Sequence, residues 1–135
     1  MGQFIKDFWK TIVWAVIIII LSCLPDDHIE SQKWNILPHQ DKILHFLFYS
    51  ILSILFIREY QKHSRRPELN SVIFAISFVF IIAFGTILEI IQEKFVRSRN
   101  GELMDLLFDI FGFVLAFLSL YLYGFIRHYN KRIKN

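Results

Sequence analysis

Four long apolar runs alternate with polar connectors along the 135 residues, and each run approaches the length of a bilayer crossing. They cover residues 4–24, 41–57, 71–91 and 103–123. A hydrocarbon core about 30 Å thick takes about 20 helical residues, so each run is predicted to be a transmembrane helix. Lys6, Asp7 and Lys10 fall in the first turns of the first run, where long side chains reach the interface; Trp9 and Trp14 suit the interfacial belt and the layer beneath it. Pro25 stops that helix, and Pro38 stands just ahead of the second. Between them, residues 26–40 form a polar loop in which Trp34, Ile36 and Leu37 are placed to dip back into the interface. The pattern predicts an all-α integral membrane protein, a compact up-down-up-down bundle of four transmembrane helices forming a single domain over residues 1–135. Short connectors make its successive helices antiparallel neighbours.

Composition supports this picture. Hydrophobic residues make up 55% and aromatic residues 17%, which leaves too little polar surface for an ordinary soluble domain of this length. The apolar N-terminal run is read as a retained helix rather than a cleaved signal, since Ser22–Cys23–Leu24–Pro25 is a poor cleavage site. Cys23, the single cysteine, excludes an internal disulfide and reads as a small apolar residue near a helix end.

The net charge is +3. No basic helix with interleaved aromatics lies outside the apolar runs, so nucleic-acid binding is rejected and the charge is assigned to loops. Ten of the fifteen Lys and Arg residues lie in the N-terminal turns, the 58–70 loop and the C-terminal tail. The positive-inside rule then makes both termini and that loop cytoplasmic, and turns the connectors after the first and third helices outward. The expected location is a bacterial cytoplasmic membrane, crossed several times, with the lipid bilayer as the first partner.

This topology brings scattered polar residues to one depth. Asp41, Lys42, His45 and Tyr49 open the second helix, Glu89 and Gln92 end the third, and Asp105 and Asp109 begin the fourth. Asp41, His45 and Tyr49 recur every four residues and share a face, as do Asp105 and Asp109, followed by Gly112 and Ala116. Ordinary roles exist for several of them. Asp41 and Asp105 suit helix starts, where the dipole favours acids; Lys94, Arg97 and Arg99 suit a solvated loop; His45 suits a buried donor to a carbonyl. Glu89 and Asp109 are harder to absorb. An unpaired carboxylate a turn inside an apolar helix costs about 2.5–3.5 kcal/mol on insertion scales. Partners among His45, Lys42, Arg97 and Arg99 would lower that cost, which favours one shared pocket.

With these residues in place the chain resembles the VanZ-like family of small bacterial membrane proteins. The resemblance rests on Ser22 and Pro25 at the first helix end and on Asp41-Lys42-x-x-His45-Phe46-x-x-Tyr49. It continues through Gly85 and Glu89-x-x-Gln92, then Arg99 in the turn and Asp105 and Gly112 on the last helix. Asp109 stands where the family usually has Asn. The resemblance implies a cell-envelope protein related to teicoplanin resistance, without implying an established reaction. Members outside resistance operons imply a housekeeping alternative.

Three classes of function follow from the residues. In the first, the outer pocket binds an amphipathic ligand such as a lipid-linked envelope precursor or a lipoglycopeptide. Lys42, Tyr49, Gln92, Arg97, Arg99 and Asp105 would hold its headgroup. In the second, a membrane enzyme uses His45 oriented by Asp41, with Glu89 or Asp109 as the other acid–base partner. A divalent metal on Asp105, Asp109, Glu89 and His45 is compatible with that donor set, although no H-E-x-x-H spacing is present. In the third, the polar groups join helices or carry protons.

Overall fold

Long uninterrupted runs of helix formers dictate the architecture. The computed structural model describes residues 2–23, 40–66, 68–95 and 103–134, with the side chains of 40, 41, 95, 131 and 134 outside that description. Five α-helices account for nearly all of it, and no strand occurs among the described residues. They are α1 (Gly2–Asp7), α2 (Trp9–Ser22), α3 (Gln40–His63), α4 (Ser71–Phe95) and α5 (Leu103–Lys134). Within α3, α4 and α5, the segments Lys42–His63, Ser71–Lys94 and Leu103–Asn130 are long and apolar enough to cross a membrane. That makes a multi-pass membrane protein. The apolar helix α2 is shorter, with 14 residues, a rise of about 21 Å.

The helix ends depart from the expected limits for local reasons. The predicted first span, 4–24, is divided at Phe8, whose backbone (φ −112°, ψ 19°) leaves the helix. The division lets a carboxylate from another helix reach the new N-terminus. Glu59 Oε1 accepts from the Lys10 amide (3.1 Å), and Oε2 accepts from the Thr11 amide (3.0 Å) and the Thr11 hydroxyl (2.7 Å). An N-cap usually comes from the adjacent residue; here it comes from α3.

The predicted second span, 41–57, extends to His63 because Arg58–His63 continue the helix instead of forming a loop. The helix then closes with Arg65 in the left-handed region (φ 54°), Arg66 donating to the Gln61 carbonyl at 3.1 Å and Arg65 to that of Lys62 at 3.3 Å. This is the paired-bond helix stop in which glycine is usual. Asn70 starts α4, its side-chain oxygen accepting from the Ile73 amide at 3.0 Å. The last helix passes the expected limit at Tyr123 and continues to Lys134, since no proline interrupts 124–134.

Helix α3 is the central post. Among the described residues it approaches each of the other four helices, whereas α2 and α5 make no close approach. In lipid, helices gain little from apolar burial against one another, so close packing and small residues hold them together. Gly112 provides this at the α3–α5 crossing: a Cβ there would lie 2.5 Å from the Phe46 carbonyl oxygen and 3.0 Å from the Ser50 nitrogen. Ala116, fully buried a turn further on, continues the small-residue stripe. Aromatic packing fills the remainder, with Phe56 stacked on Phe80 (centroids 4.1 Å apart) and Phe74 against Phe113 and Phe117. Trp14 Nε1 donates to the Phe48 carbonyl at 3.0 Å and joins α2 to α3.

Candidate functional site

The first turns of α3 and α5 and the last turns of α4 meet at one end of the bundle. His45 is the hub. Its Nδ1–H donates to Asp109 Oδ1 at 3.0 Å, and its Nε2 lies 3.9 Å from Asp105 Oδ2. Lys42, one turn nearer the helix start, places Nζ 3.5 Å from the other oxygen of Asp105, an ion pair too long for a good hydrogen bond. Asp105 and Asp109 are one turn apart on α5 and bracket the imidazole. Glu89 closes the third side: one ligand atom each from His45, Glu89 and Asp105 lies within 4.8 Å of the others. His45 is 7% exposed and Asp109 fully buried, so their hydrogen bond is made away from solvent.

Beneath the hub, the Tyr49 ring lies nearly parallel to that of His45, with centroids 6.1 Å apart and an interplanar angle of 10°. Tyr49 is 1% exposed, yet its hydroxyl makes no close hydrogen bond, and neither does Asp109 Oδ2. Both side chains approach one place on α4. The position of a Cβ on Gly85 is 2.8 Å from Asp109 Oδ2 and 3.6 Å from Tyr49 Cε1. Glycine at 85 is therefore what admits the Asp109 carboxylate and the tyrosine edge beside α4.

Of the residues predicted to form the pocket, the structure gathers Lys42, His45, Tyr49, Glu89, Asp105 and Asp109. Gln92 has a different neighbour: buried at 3% exposure, its Nε2 donates to the Ser22 carbonyl at 3.0 Å. It thereby ties the last turn of α2 to the site end of α4, a bond to one of the carbonyls a helix end leaves open. The Asp41 side chain, Arg97 and Arg99 lie outside the described residues.

Sequence reasoning missed Glu59, the second buried carboxylate system. Its surroundings, Arg58, Lys62, Arg65 and Arg66, read in sequence as a basic loop. A signal was available in the spacing of Tyr49, Leu52, Phe56 and Glu59, which continues one buried helical stripe past the apolar run.

Chemically, the site combines, among the described residues, an oriented imidazole, three carboxylates and one ammonium. With Nδ1 hydrogen-bonded to Asp109, the neutral form of the ring would present the Nε2 lone pair toward Asp105 and Glu89. Such a set can bind a cation, exchange a proton, or hold a polar headgroup between Lys42 and the imidazole. No protein-family model, curated protein or solved structure matches the chain.

Proposed function

We propose that the chain is a VanZ-like envelope membrane protein whose outward-facing polar site binds the headgroup of an amphipathic ligand. The ligand class is a lipid-linked envelope precursor or a teicoplanin-type lipoglycopeptide, and the place is a bacterial cytoplasmic membrane crossed four times with both termini inside. One observation carries the reading: the buried His45–Asp109 hydrogen bond sits among Lys42, Asp105 and Glu89 where three helices end together. Burying charged groups in lipid is costly, and a cluster at one helix-end layer suits recognition of a group at the membrane surface. Lys42 supplies the cationic contact and the lipid-facing flanks of α4 and α5, where Ile87, Leu107 and Phe111 are exposed, suit an acyl or prenyl chain. The biased distribution of Lys and Arg supports the outward orientation.

The test uses the purified full chain in lipid nanodiscs with a long-chain polyprenyl phosphate and, separately, a lipoglycopeptide. Native mass spectrometry should show saturable binding of one of them, weakened at least tenfold by Lys42→Ala or His45→Ala. Equal binding by the parent and both variants would remove the reading. A second reading, an acid–base membrane enzyme, draws on the same His45–Asp109 pair, since a carboxylate that orients an imidazole prepares its other nitrogen for proton transfer. Turnover of the polyprenyl substrate, absent in His45→Gln, would favour it over pure binding.

A further inference from the structure

We infer that His45, Glu89 and Asp105 form a site for one divalent first-row transition cation, with Asp109 as the group that orients the histidine. Geometry begins the case. Three donors, one imidazole nitrogen and two carboxylate oxygens, converge from α3, α4 and α5 to within 4.8 Å of one another, a span that a central ion with bonds of about 2.0–2.2 Å closes after small side-chain movements. The Nδ1–H of His45 is already given to Asp109 Oδ1 at 3.0 Å. A metal-bound histidine almost always gives its second N–H to a carboxylate or carbonyl in this way, which fixes the ring and raises the basicity of the ligating nitrogen.

Two buried oxygens beside the cluster are consistent with something bound. The Tyr49 hydroxyl, on a residue 1% exposed, and Oδ2 of the fully buried Asp109 make no close hydrogen bond, although the two side chains lie near enough to interact with each other. The Asp109 oxygen and the Tyr49 ring edge border the space that glycine at 85 leaves open, one helical turn from Glu89 on the same face of α4. Buried polar atoms are nearly always satisfied. A three-ligand ion retains open coordination positions filled by water, and its waters are strong donors. The oxygens of Asp109 and Tyr49 beside the ligand set are suitable acceptors for them.

Donor chemistry sets the ion. Imidazole with two carboxylates suits Mn²⁺ or Zn²⁺ better than Mg²⁺ or Ca²⁺, which favour oxygen alone. The cation would also add positive charge beside Lys42 and let the site accept an anionic phosphate. That last consequence rests on the headgroup reading above; the ion itself does not.

The full chain in detergent, stripped with EDTA and titrated with Mn²⁺, tests this by electron paramagnetic resonance. The expected result is one Mn²⁺ per chain with an imidazole-nitrogen coupling in pulsed spectra, displaced by Zn²⁺ and not by equal Mg²⁺. Glu89→Gln and His45→Gln should each weaken binding at least tenfold, and Asp109→Asn by roughly ten- to a hundredfold. Glu93→Gln, exposed on the same helix, should change nothing. Because the nitrogen coupling is read on the parent protein, misfolding of a variant does not remove the test. No saturable Mn²⁺ binding up to about 1 mM, the weak end of biological divalent-cation sites, overturns the inference, as does binding without nitrogen coupling. Polyprenyl phosphate bound equally with and without EDTA, with no Mn²⁺ site, would sink the cation and spare the headgroup reading. Mn²⁺ bound with no effect on phosphate would support the cation and count against that reading.

Discussion

Each end of the bundle holds a buried carboxylate system, and the two are built on opposite principles. At one end Glu59 accepts from two backbone amides and a hydroxyl of α2, so both its oxygens are occupied by the fold itself. At the other, Asp105, Asp109 and Glu89 converge on one imidazole, and oxygens of Asp109 and Tyr49 make no close hydrogen bond. The first arrangement answers the needs of a helix N-terminus. The second exceeds what holding helices together requires. Buried charge alone therefore does not mark a site; what distinguishes the two ends is whether the structure uses up the bonding capacity it has buried.

The sharpest way to break this comparison is to remove each system in turn and measure stability by reversible unfolding in detergent. Glu59→Ala leaves two amides and the buried Thr11 hydroxyl without their acceptor and should cost the most, about 3 kcal/mol. An apolar isostere cannot rescue it, because backbone donors remain whatever the side chain.

Gly112→Ala comes next. Its Cβ meets the backbone of α3 at 2.5 Å, and separating the two helices should cost about 1–3 kcal/mol. Gly85→Ala should cost less, since its nearest obstacle is the movable carboxylate of Asp109. It should instead disturb the His45–Asp109 bond and weaken ligand binding. If the two glycines behave alike, the distinction between scaffold and site at this end fails.

A double replacement, His45→Leu with Asp109→Leu, should unfold within about 1 kcal/mol of the parent while losing ligand binding, because removing both members of a buried pair leaves no orphaned charge. A large loss of stability would mean that the site end is structural in the way the Glu59 end is.

The smallest effect belongs to the rim, where His63 Nδ1 donates to Asp7 Oδ2 at 2.7 Å. Asp7 lies on α1, outside the apolar helices, and this hydrogen bond holds its carboxyl below its ordinary value of 3.8, against the opposing effect of burial. A depressed carboxylate contributes stability above that ordinary value, and the contribution disappears as pH falls through the lower folded value. Asp7→Asn should accordingly lower the melting temperature slightly at pH 6 and not at pH 2, values chosen on either side of the carboxylate range.

The apolar runs by themselves determined that the chain is helical and membrane-spanning, and roughly where each long helix lies. Hydrocarbon accepts no unsatisfied backbone, so length and composition suffice for that. Four-residue spacing also placed His45 with Tyr49 and Asp105 with Asp109 on shared faces, and alternation of direction brought those faces to one end. Contact between helices decided the rest. Spacing could not reveal that Gln92 would bond the end of α2, or that Asp109 would hold the imidazole at 3.0 Å. Nor could it reveal that Glu59 would cap a helix 48 residues earlier in the chain. Those partners are remote in sequence and depend on how closely the helices approach one another, as Gly112 lets α3 and α5 do for His45 and Asp109, a distance that no local pattern encodes.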